Sequence, residues 1–325
     1  MTNPTAILID NIHIPWNAII ILLSVLAWFF CARSFYYVKG YHRLAMWVLL
    51  PFALAFSLFF SRAIYWYCHQ SQFTGFMSAV TSPDINAFTI LGIIPGVILA
   101  AALVRLFHLA KSLPGILDSL SPATCLGIAL LYLTCFFNNS FRGKFIVEDP
   151  SRQIFPLGII TAGSGGVFEY RHPVFMMGIT GWLVLFAVCT GFYFKHKKSD
   201  GVTSLFFLTV FGSFEFILES MRYDAGFFPF NGFVSIIQIF GGVSILFSTV
   251  MLSVMAIKKA GFKKILILFW ILQLAAMGAT GYLEYYVQRH GNLAGRTYLL
   301  MSLSCLCMSV FPVVIFNTGR RPNKS

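Results

Sequence analysis

What most constrains this chain is a series of apolar runs about as long as a bilayer is thick. Nine are evident, at roughly 16–36, 44–67, 87–109, 123–137, 174–194, 204–218, 234–257, 265–287 and 298–316. The hydrocarbon core of a membrane is ~30 Å across and takes about 20 helical residues to cross. Inside it a backbone must satisfy its own hydrogen bonds, so each run is read as a helix. Charge points the same way. Only 10% of the 325 residues are charged, against roughly 25% in a soluble domain. So few charges cannot cover a water-facing surface, and most of the surface must face lipid. The expected class is an all-α integral membrane protein. The fourth run is short and polar at its end, and Pro51 and Pro95 fall inside runs, where a proline is expected to kink a helix.

The net charge is +12. In a soluble protein that excess would suggest nucleic acid, but here the cations cluster in the connections and no nucleic-acid motif is present. They are read as topology signals and contacts to anionic lipid head groups. With the N-terminus outside and the C-terminus in the cytoplasm, 15 of the 23 Lys and Arg fall on the inner side, among them Arg33, Lys39, Arg43, Arg105, Lys111, Lys258, Lys259, Lys263, Lys264, Arg320, Arg321 and Lys324. The outer side holds seven: Arg142, Lys144, Arg152, Arg171, Arg222, Arg289 and Arg296. Arg62 lies within a run. No cleavable signal peptide is expected, because the first run lacks a basic lead.

Four of the outer cations share one connection, 138–173, the longest in the chain. Connections of that length are usually functional or disordered, and Gly163, Gly165 and Gly166 are expected to make this one pliable. Arg62 has two readings. It is an interfacial arginine reaching for water beside Tyr65, Trp66 and Tyr67, or a phosphate ligand that grips two oxygens at once. Glu215, Glu219 and Arg222 stand at i, i+4 and i+7 on one helical face. Glu219 with Arg222 forms either an ion pair at the membrane edge or part of a polar cavity wall, while Glu215 lies deeper and needs a proton or a cation from another helix. His172 and His69 are the candidate bases, with the alternative that each only anchors a hydrogen bond near the interface.

The seven cysteines are read as packing residues, since none forms a metal-type pair. No phosphate loop, nucleotide fingerprint, HExxH or GxSxG motif is present, so neither cofactor nor metal is expected.

Three stretches carry a family resemblance. The first is Phe60-Ser61-Arg62-Ala63-Ile64-Tyr65, similar to a G-G-R-I-G-Y motif. The second runs from Leu117-Asp118 through Pro122 and Gly127 to Phe136-Phe137-Asn138-Asn139 and Gly143-Lys144, similar to a D-x-x-x-P lead and a G-R-x-G-N-F-x-N-G-E-x-x-G-R signature. The third is Arg171-His172-Pro173, then Gly212-Ser213-Phe214 onward to Glu219, Arg222, Gln238 and Gly241, similar to an R-H-P-S-Q-x-Y-E segment and a later Y-G-x-x-R-x-x-x-E-x-x-R. In this order the features resemble the bacterial prolipoprotein diacylglyceryl transferase family.

The resemblance implies a seven-helix transferase-like core over 1–257, a two-helix extension over 258–325, and residence in the bacterial plasma (inner) membrane. It implies transfer of a diacylglyceryl or related group from phosphatidylglycerol to an acceptor on the outer side, a lipobox cysteine of a prolipoprotein signal peptide in the family's own reaction. Such a reaction needs a base to make a thiolate and cations to hold phosphate and stabilise the departing glycerol phosphate. The expected substrate-binding residues are Arg62, Asn138, Arg142, Lys144, Arg152, Arg171, Glu219 and Arg222, with His172 and His69 as catalytic bases. The chain also departs from the pattern. The signature's arginine falls at Tyr132, its first asparagine at Cys135 and its glutamate at Ser140; the third-helix H-G-G reads Leu91-Gly92-Ile93, and a later arginine becomes Glu215. These losses keep two other readings open: a non-catalytic lipid-binding homologue, and a lipid transporter.

Overall fold

Two compact units make up the computed structural model of the chain, which describes residues 5–9, 12–41, 44–82, 88–162, 167–225, 227–228, 231–290 and 294–319. Gly163, Gly165 and Gly166, the run start at Ala87, and the cations Arg43, Arg320, Arg321 and Lys324 expected on the inner side lie outside the described residues. One unit comprises Met1–Thr203 with Arg222–Asp224; the other comprises Ser204–Met221 with Ala225–Ser325.

In chain order, the first unit begins with a hairpin, β1 (Thr5–Ile9) and β2 (Ile12–Pro15). Then come α1 (Trp16–Val38), α2 (Leu44–Cys68), the short α3 (Phe76–Val80), α4 (Ile93–Leu106), α5 (Leu113–Leu131) and the single turn α6 (Thr134–Phe137). A sheet of β3 (Arg142–Ile146), β4 (Ile159–Ala162) and β5 (Phe168–Pro173) leads into α7 (Val174–His196). The second unit holds most of α8 (Val202–Met221), a small hairpin of β6 (Phe227–Phe228) and β7 (Asn231–Ser235), then α9 (Ile236–Ala260), α10 (Ile265–His290) and α11 (Ala294–Thr318). Among the described residues eight helices are long and apolar enough to cross a membrane, counting α5 with α6 as one, and a shorter apolar helix spans Ile90–Leu106. The chain is a multi-pass, all-α integral membrane protein in which small strands cap the helices.

Two boundaries differ from expectation for physical reasons. The fourth run was expected at 123–137, yet its helix starts ten residues earlier, at Leu113. Asp118, Ser119, Ser121 and Thr124 lower its hydropathy, but all four are buried in protein, so lipid never tests them. Pro95 lies in the first turn of α4. A missing N–H there is one of the orphan donors every helix start carries, so it opens the helix without kinking it. Pro51 does lie inside α2.

Without a hydrophobic drive between helices in lipid, small residues let backbones approach and dispersion does the rest. Gly92 and Gly96 sit four apart against Ser61 and Ser57 of α2, and a β-carbon on either glycine would run into serine backbone atoms. The serine hydroxyls donate to the carbonyls of Thr89 (2.8 Å) and Ile93 (3.4 Å). The core of this bundle is Trp28, Phe29, Met46, Leu49, Val104, Ile116 and Leu120 with buried alanines between them. In the second unit Gly212 and Gly241 repeat the device, with a β-carbon on Gly212 only 2.5 Å from the Gly241 carbonyl oxygen. Ile245, Val287, Met301, Cys305 and Met308 form the core there.

At the far end of α1, Lys39 pairs with Asp118 (3.1 Å) and Asp200 (2.9 Å). Asp118 also accepts the Gly201 N–H at 2.8 Å, and Ser112 donates to Asp200. Burial works against the Lys39 charge, but Asp118 and Asp200 more than offset it and raise its pKa. This knot fastens α1, α5 and the α7–α8 turn.

The α2–α4 crossing yields a direct test. Gly96→Val forces the helices apart and should cost ~1–3 kcal/mol, lowering the thermal midpoint of purified protein. Gly191→Val, where nothing lies within 4 Å of an added β-carbon, should leave it unchanged.

Candidate active site

Residues 138–173 form a small antiparallel sheet in the order β3-β5-β4. Arg142 pairs with Pro173 and Ile146 with Arg171 across one edge of β5, and Ile159 with Arg171 across the other. The free edge of β3 is extended by residues 222–224, through a bridge of Gly143 with Arg222 and a 2.7 Å bond from the Tyr223 N–H to the Arg142 carbonyl. The near end of α1 joins this cap: Trp16 stacks on Phe137 with ring centroids 5.8 Å apart, and the Asn17 amide donates to the Asn138 oxygen.

Three arginines meet here, each lying over an aromatic ring. Arg171 sits 4.2 Å from the Tyr223 ring centroid, Arg222 3.7 Å from Phe141, and Arg142 5.0 Å from Phe175. Such stacking is worth roughly 0.5–2 kcal/mol, more when dry. Arg171 and Arg222 have acids two residues away. In extended chain, residues i and i+2 share a face, so Glu169-Tyr170-Arg171 and Arg222-Tyr223-Asp224 each put charge beside charge. Arg171 donates to Glu169 at 2.7 Å and to the carbonyls of Lys144 (2.7 Å) and Gly143 (3.1 Å). Arg222 is gripped through Nε (3.0 Å) and Nη2 (2.9 Å) by both Asp224 oxygens, which also accept the Phe141 N–H at 3.2 Å.

Arg142 differs. Its side chain is buried, donating from Nη2 to the Phe136 carbonyl (3.2 Å) and the Asn139 side chain (3.3 Å). Its Nε and Nη1 have no hydrogen-bond partner in the described protein. Burial weakens its hold on its proton, and Cys135 and Asp224 offset this only in part. A buried guanidinium with two spare donors and no carboxylate of its own can take an anionic oxygen.

The other expected residues fall as follows. Lys144 sits on β3 with its carbonyl on Arg171. Arg152 is exposed and pairs loosely with Asp149 at 3.5 Å. Arg62 is buried and donates to the carbonyls of Ser82 (2.9 Å) and Ala79 (3.5 Å), with the Phe88 ring 4.2 Å away, so it caps the end of α3. Glu219 is buried on α8 in the second unit, as is Glu215.

Both histidines have a defined tautomer. His172 Nδ1 lies 2.9 Å from the Leu157 carbonyl, and His69 Nδ1 3.1 Å from the Tyr65 carbonyl. A carbonyl only accepts, so Nδ1 carries the proton and Nε2 of the neutral ring keeps its lone pair, as a base requires. They are not brought together. His172 alternates with buried Arg171 and Pro173 and is itself exposed, which puts it on the face of β5 opposite Arg171 and opposite Arg142, the partner of Pro173. His69 stacks on Tyr65 at the end of α2, and no hydrogen bond among the described residues joins it to the sheet.

Sequence reasoning missed Asp224 and the aromatic partners Phe141, Phe175 and Tyr223. The repeated acid–Tyr–arginine spacing was the available signal, hidden because Arg222 was read at helical periodicity and Glu169–Arg171 as part of a connection.

Asp224 makes the site pH-dependent in a definite direction. Burial pushes its carboxyl up, but the Arg222 charge, the Arg222 hydrogen bonds and the Phe141 N–H outweigh that and hold it below the ordinary value of 3.8. Its contribution is therefore full above the carboxylate range and lost as pH falls through the depressed value. Asp224→Asn should destabilise by roughly 1.5–3 kcal/mol at pH 7, and denaturation curves of wild type and variant should converge in acid.

A profile of the prolipoprotein diacylglyceryl transferase family matches residues 4–260, so α10 and α11 lie beyond the matched span. The phosphatidylglycerol–prolipoprotein diacylglyceryl transferase of Vibrio atlanticus (strain LGP32) is 29% identical over 152 residues, 46% of this chain and 51% of that protein. The protein of that name from Vibrio vulnificus (strain CMCP6) is 30% identical over 135 residues, 41% of this chain and 46% of its own. The chain thus spans about half the length of the curated relatives it matches. Because the profile covers most of its length, the chain belongs to the prolipoprotein diacylglyceryl transferase family.

Proposed function

We propose that the chain is a membrane transferase that moves a diacylglyceryl, or related phospholipid-derived, group from phosphatidylglycerol to an acceptor on the outer face. A lipobox cysteine of a prolipoprotein is the acceptor that the relatives' names suggest. The observation that carries the reading is Arg142, a buried guanidinium with two uncommitted donors inside a family whose donor lipid bears a phosphate. Arg171, Arg222 and Lys144 belong to the same cap, and Arg62, Asn138 and Arg152 are the further residues of the proposed binding set.

In the proposed step the acceptor sulfur, as thiolate, forms a bond to the glyceryl carbon of the lipid. The carbon–oxygen bond to phosphate breaks, glycerol phosphate departs with the electron pair, and the thiol proton passes to a base. Arg142 would stabilise charge growing on the leaving phosphate, a role whose loss typically costs 10²–10³ in rate. His172, with Nε2 free to accept and its ring exposed, is the preferred base for an acceptor arriving from water; His69 is the second. The orientation is N-terminus outside and C-terminus cytoplasmic, in the bacterial inner membrane. Residues 1–257 are the transferase-like core and 258–325 the extension.

One observation favours a second reading, a non-catalytic lipid-binding homologue. Arg142 and Arg171 face away from His172 across β5, and Tyr132 and Glu215 stand where the family pattern has arginines. Expression in cells depleted of their own transferase separates the two. Growth and lipidated lipoprotein should return with wild type, and Arg142→Gln should lower transfer ~10²-fold or more. Failure of the well-expressed wild type, with phosphatidylglycerol binding retained, would sink the enzyme reading and leave the second. A reporter fused after Ser325 should be active only if it works in the cytoplasm; a periplasm-dependent reporter active there would overturn the orientation.

A further inference from the structure

A cleft of about 1180 Å³ opens in the first unit, lined by Tyr41, Trp47, Arg105, His108 and Lys111 among others. It lies at the end of the bundle away from the sheet. The α1 helix starts at the sheet, where Trp16 meets Phe137, and its 23 residues end beside Gly40, which also lines the cleft. At 1.5 Å per residue the two ends are ~35 Å apart, so the cleft is separate from the candidate active site.

Among the described residues no carboxylate lines it. Arg33 adds a third cation at its edge, with its guanidinium 5.9 Å from the Trp47 ring centroid and its Nε donating to the Tyr37 hydroxyl at 2.6 Å. Among the described residues none of Arg33, Arg105 and Lys111 forms an ion pair. The contrast with Lys39 is local: at the same end of α1 that lysine is neutralised twice over, by Asp118 and Asp200. The C-terminus of α4 points here, and free carbonyls would repel an anion. They are occupied. Leu103, Val104 and Arg105 accept from the N–H groups of Phe107 (2.9 Å), Leu109 (3.2 Å) and His108 (3.1 Å). That turn holds His108 at φ 57°, in the left-handed region, where glycine is the usual occupant. Apolar surface adjoins the cations, with Leu44, Trp47, Leu106 and Phe107 all at least half exposed. The cleft is larger than most small-ligand pockets.

Uncompensated cations, an interfacial indole and neighbouring apolar surface suit one chemistry, a phosphate-bearing head group whose chains run along the protein. We propose that this cleft is a second binding site, for a phosphate-bearing anionic ligand, at the end of the bundle opposite the transferase cap. The ligand is either an anionic phospholipid or a soluble phosphoester of the same head-group chemistry.

The test uses full-length protein in phosphatidylcholine vesicles, with and without phosphatidylglycerol, or with added soluble glycerol phosphate. Thermal midpoint and native mass spectrometry of retained ligand are read for wild type, for Arg105→Gln/Lys111→Gln, and for Lys197→Gln/Lys198→Gln. The last pair is exposed in the α7–α8 turn and removes equal charge from the same end. Arg105 and Lys111 are exposed too, so their loss should leave folding intact; midpoints in pure phosphatidylcholine check this. A phosphatidylglycerol-dependent rise in midpoint, with retained lipid cut about tenfold only in Arg105→Gln/Lys111→Gln, supports the lipid as ligand. The same pattern with glycerol phosphate supports the soluble source. Equal losses in both double variants, or no loss in either, overturn the proposal. Any phosphatidylglycerol held at Arg142 is common to all three proteins and cancels.

Discussion

A guanidinium taken out of water must recover both its hydrogen bonds and its counter-charge, and much of this molecule's polar architecture answers that demand. Arg62, Arg142 and Arg171 are buried, and the Arg222 side chain is only 12% exposed. Leaving such a charge unpaired costs several kcal/mol. Arg171 is answered by a carboxylate, two carbonyls and a tyrosine face. Arg222 is answered by a bidentate carboxylate and a phenylalanine face. The sheet, the bridge at Gly143 and residues 222–224 are ordered by these contacts, because each supplies a carbonyl or ring that an arginine needs.

The exception gains its meaning from the rule. Arg142 shares the sheet and the aromatic backing of its neighbours but lacks their carboxylates. Within one cap, two cations are spent on architecture and one is held in reserve. This division also bears on the lost family positions. A chain that has tyrosine and glutamate where its family pattern has arginines still carries a buried guanidinium with two unpartnered donors.

The membrane class, the approximate spans and the cation-rich connection 138–173 were legible from composition and periodicity, because lipid imposes its rules on whole segments. The start of α5 was not legible. Asp118 and its polar neighbours look like a loop in any window that assumes lipid, whereas they face protein, with Lys39 and Gly201 as partners. The sheet was hidden for a related reason: a two-residue repeat over strands of four to six residues carries little statistical weight. Of the candidate site, Arg142, Arg171 and Arg222 could be named because alternating the connections between two sides assigns them to the side poorer in basic residues. Their distinct roles could not, since those depend on which carbonyls, rings and acids the fold delivers. The two histidines could be named as bases, but only strand alternation reveals that His172 faces away from the arginines.

The apolar helix Ile90–Leu106 has 17 residues, about 26 Å at 1.5 Å per residue, locked to the longer α2 by the glycine–serine crossing. A bilayer core is ~30 Å thick, and mismatch is relieved by local thinning at a cost of fractions of a kcal/mol per Å. A helix of that length matches a thin, fluid bilayer better than a thick, ordered one. A short helix pinned to a long one thus sets which membranes suit this chain, independently of any residue that touches a substrate.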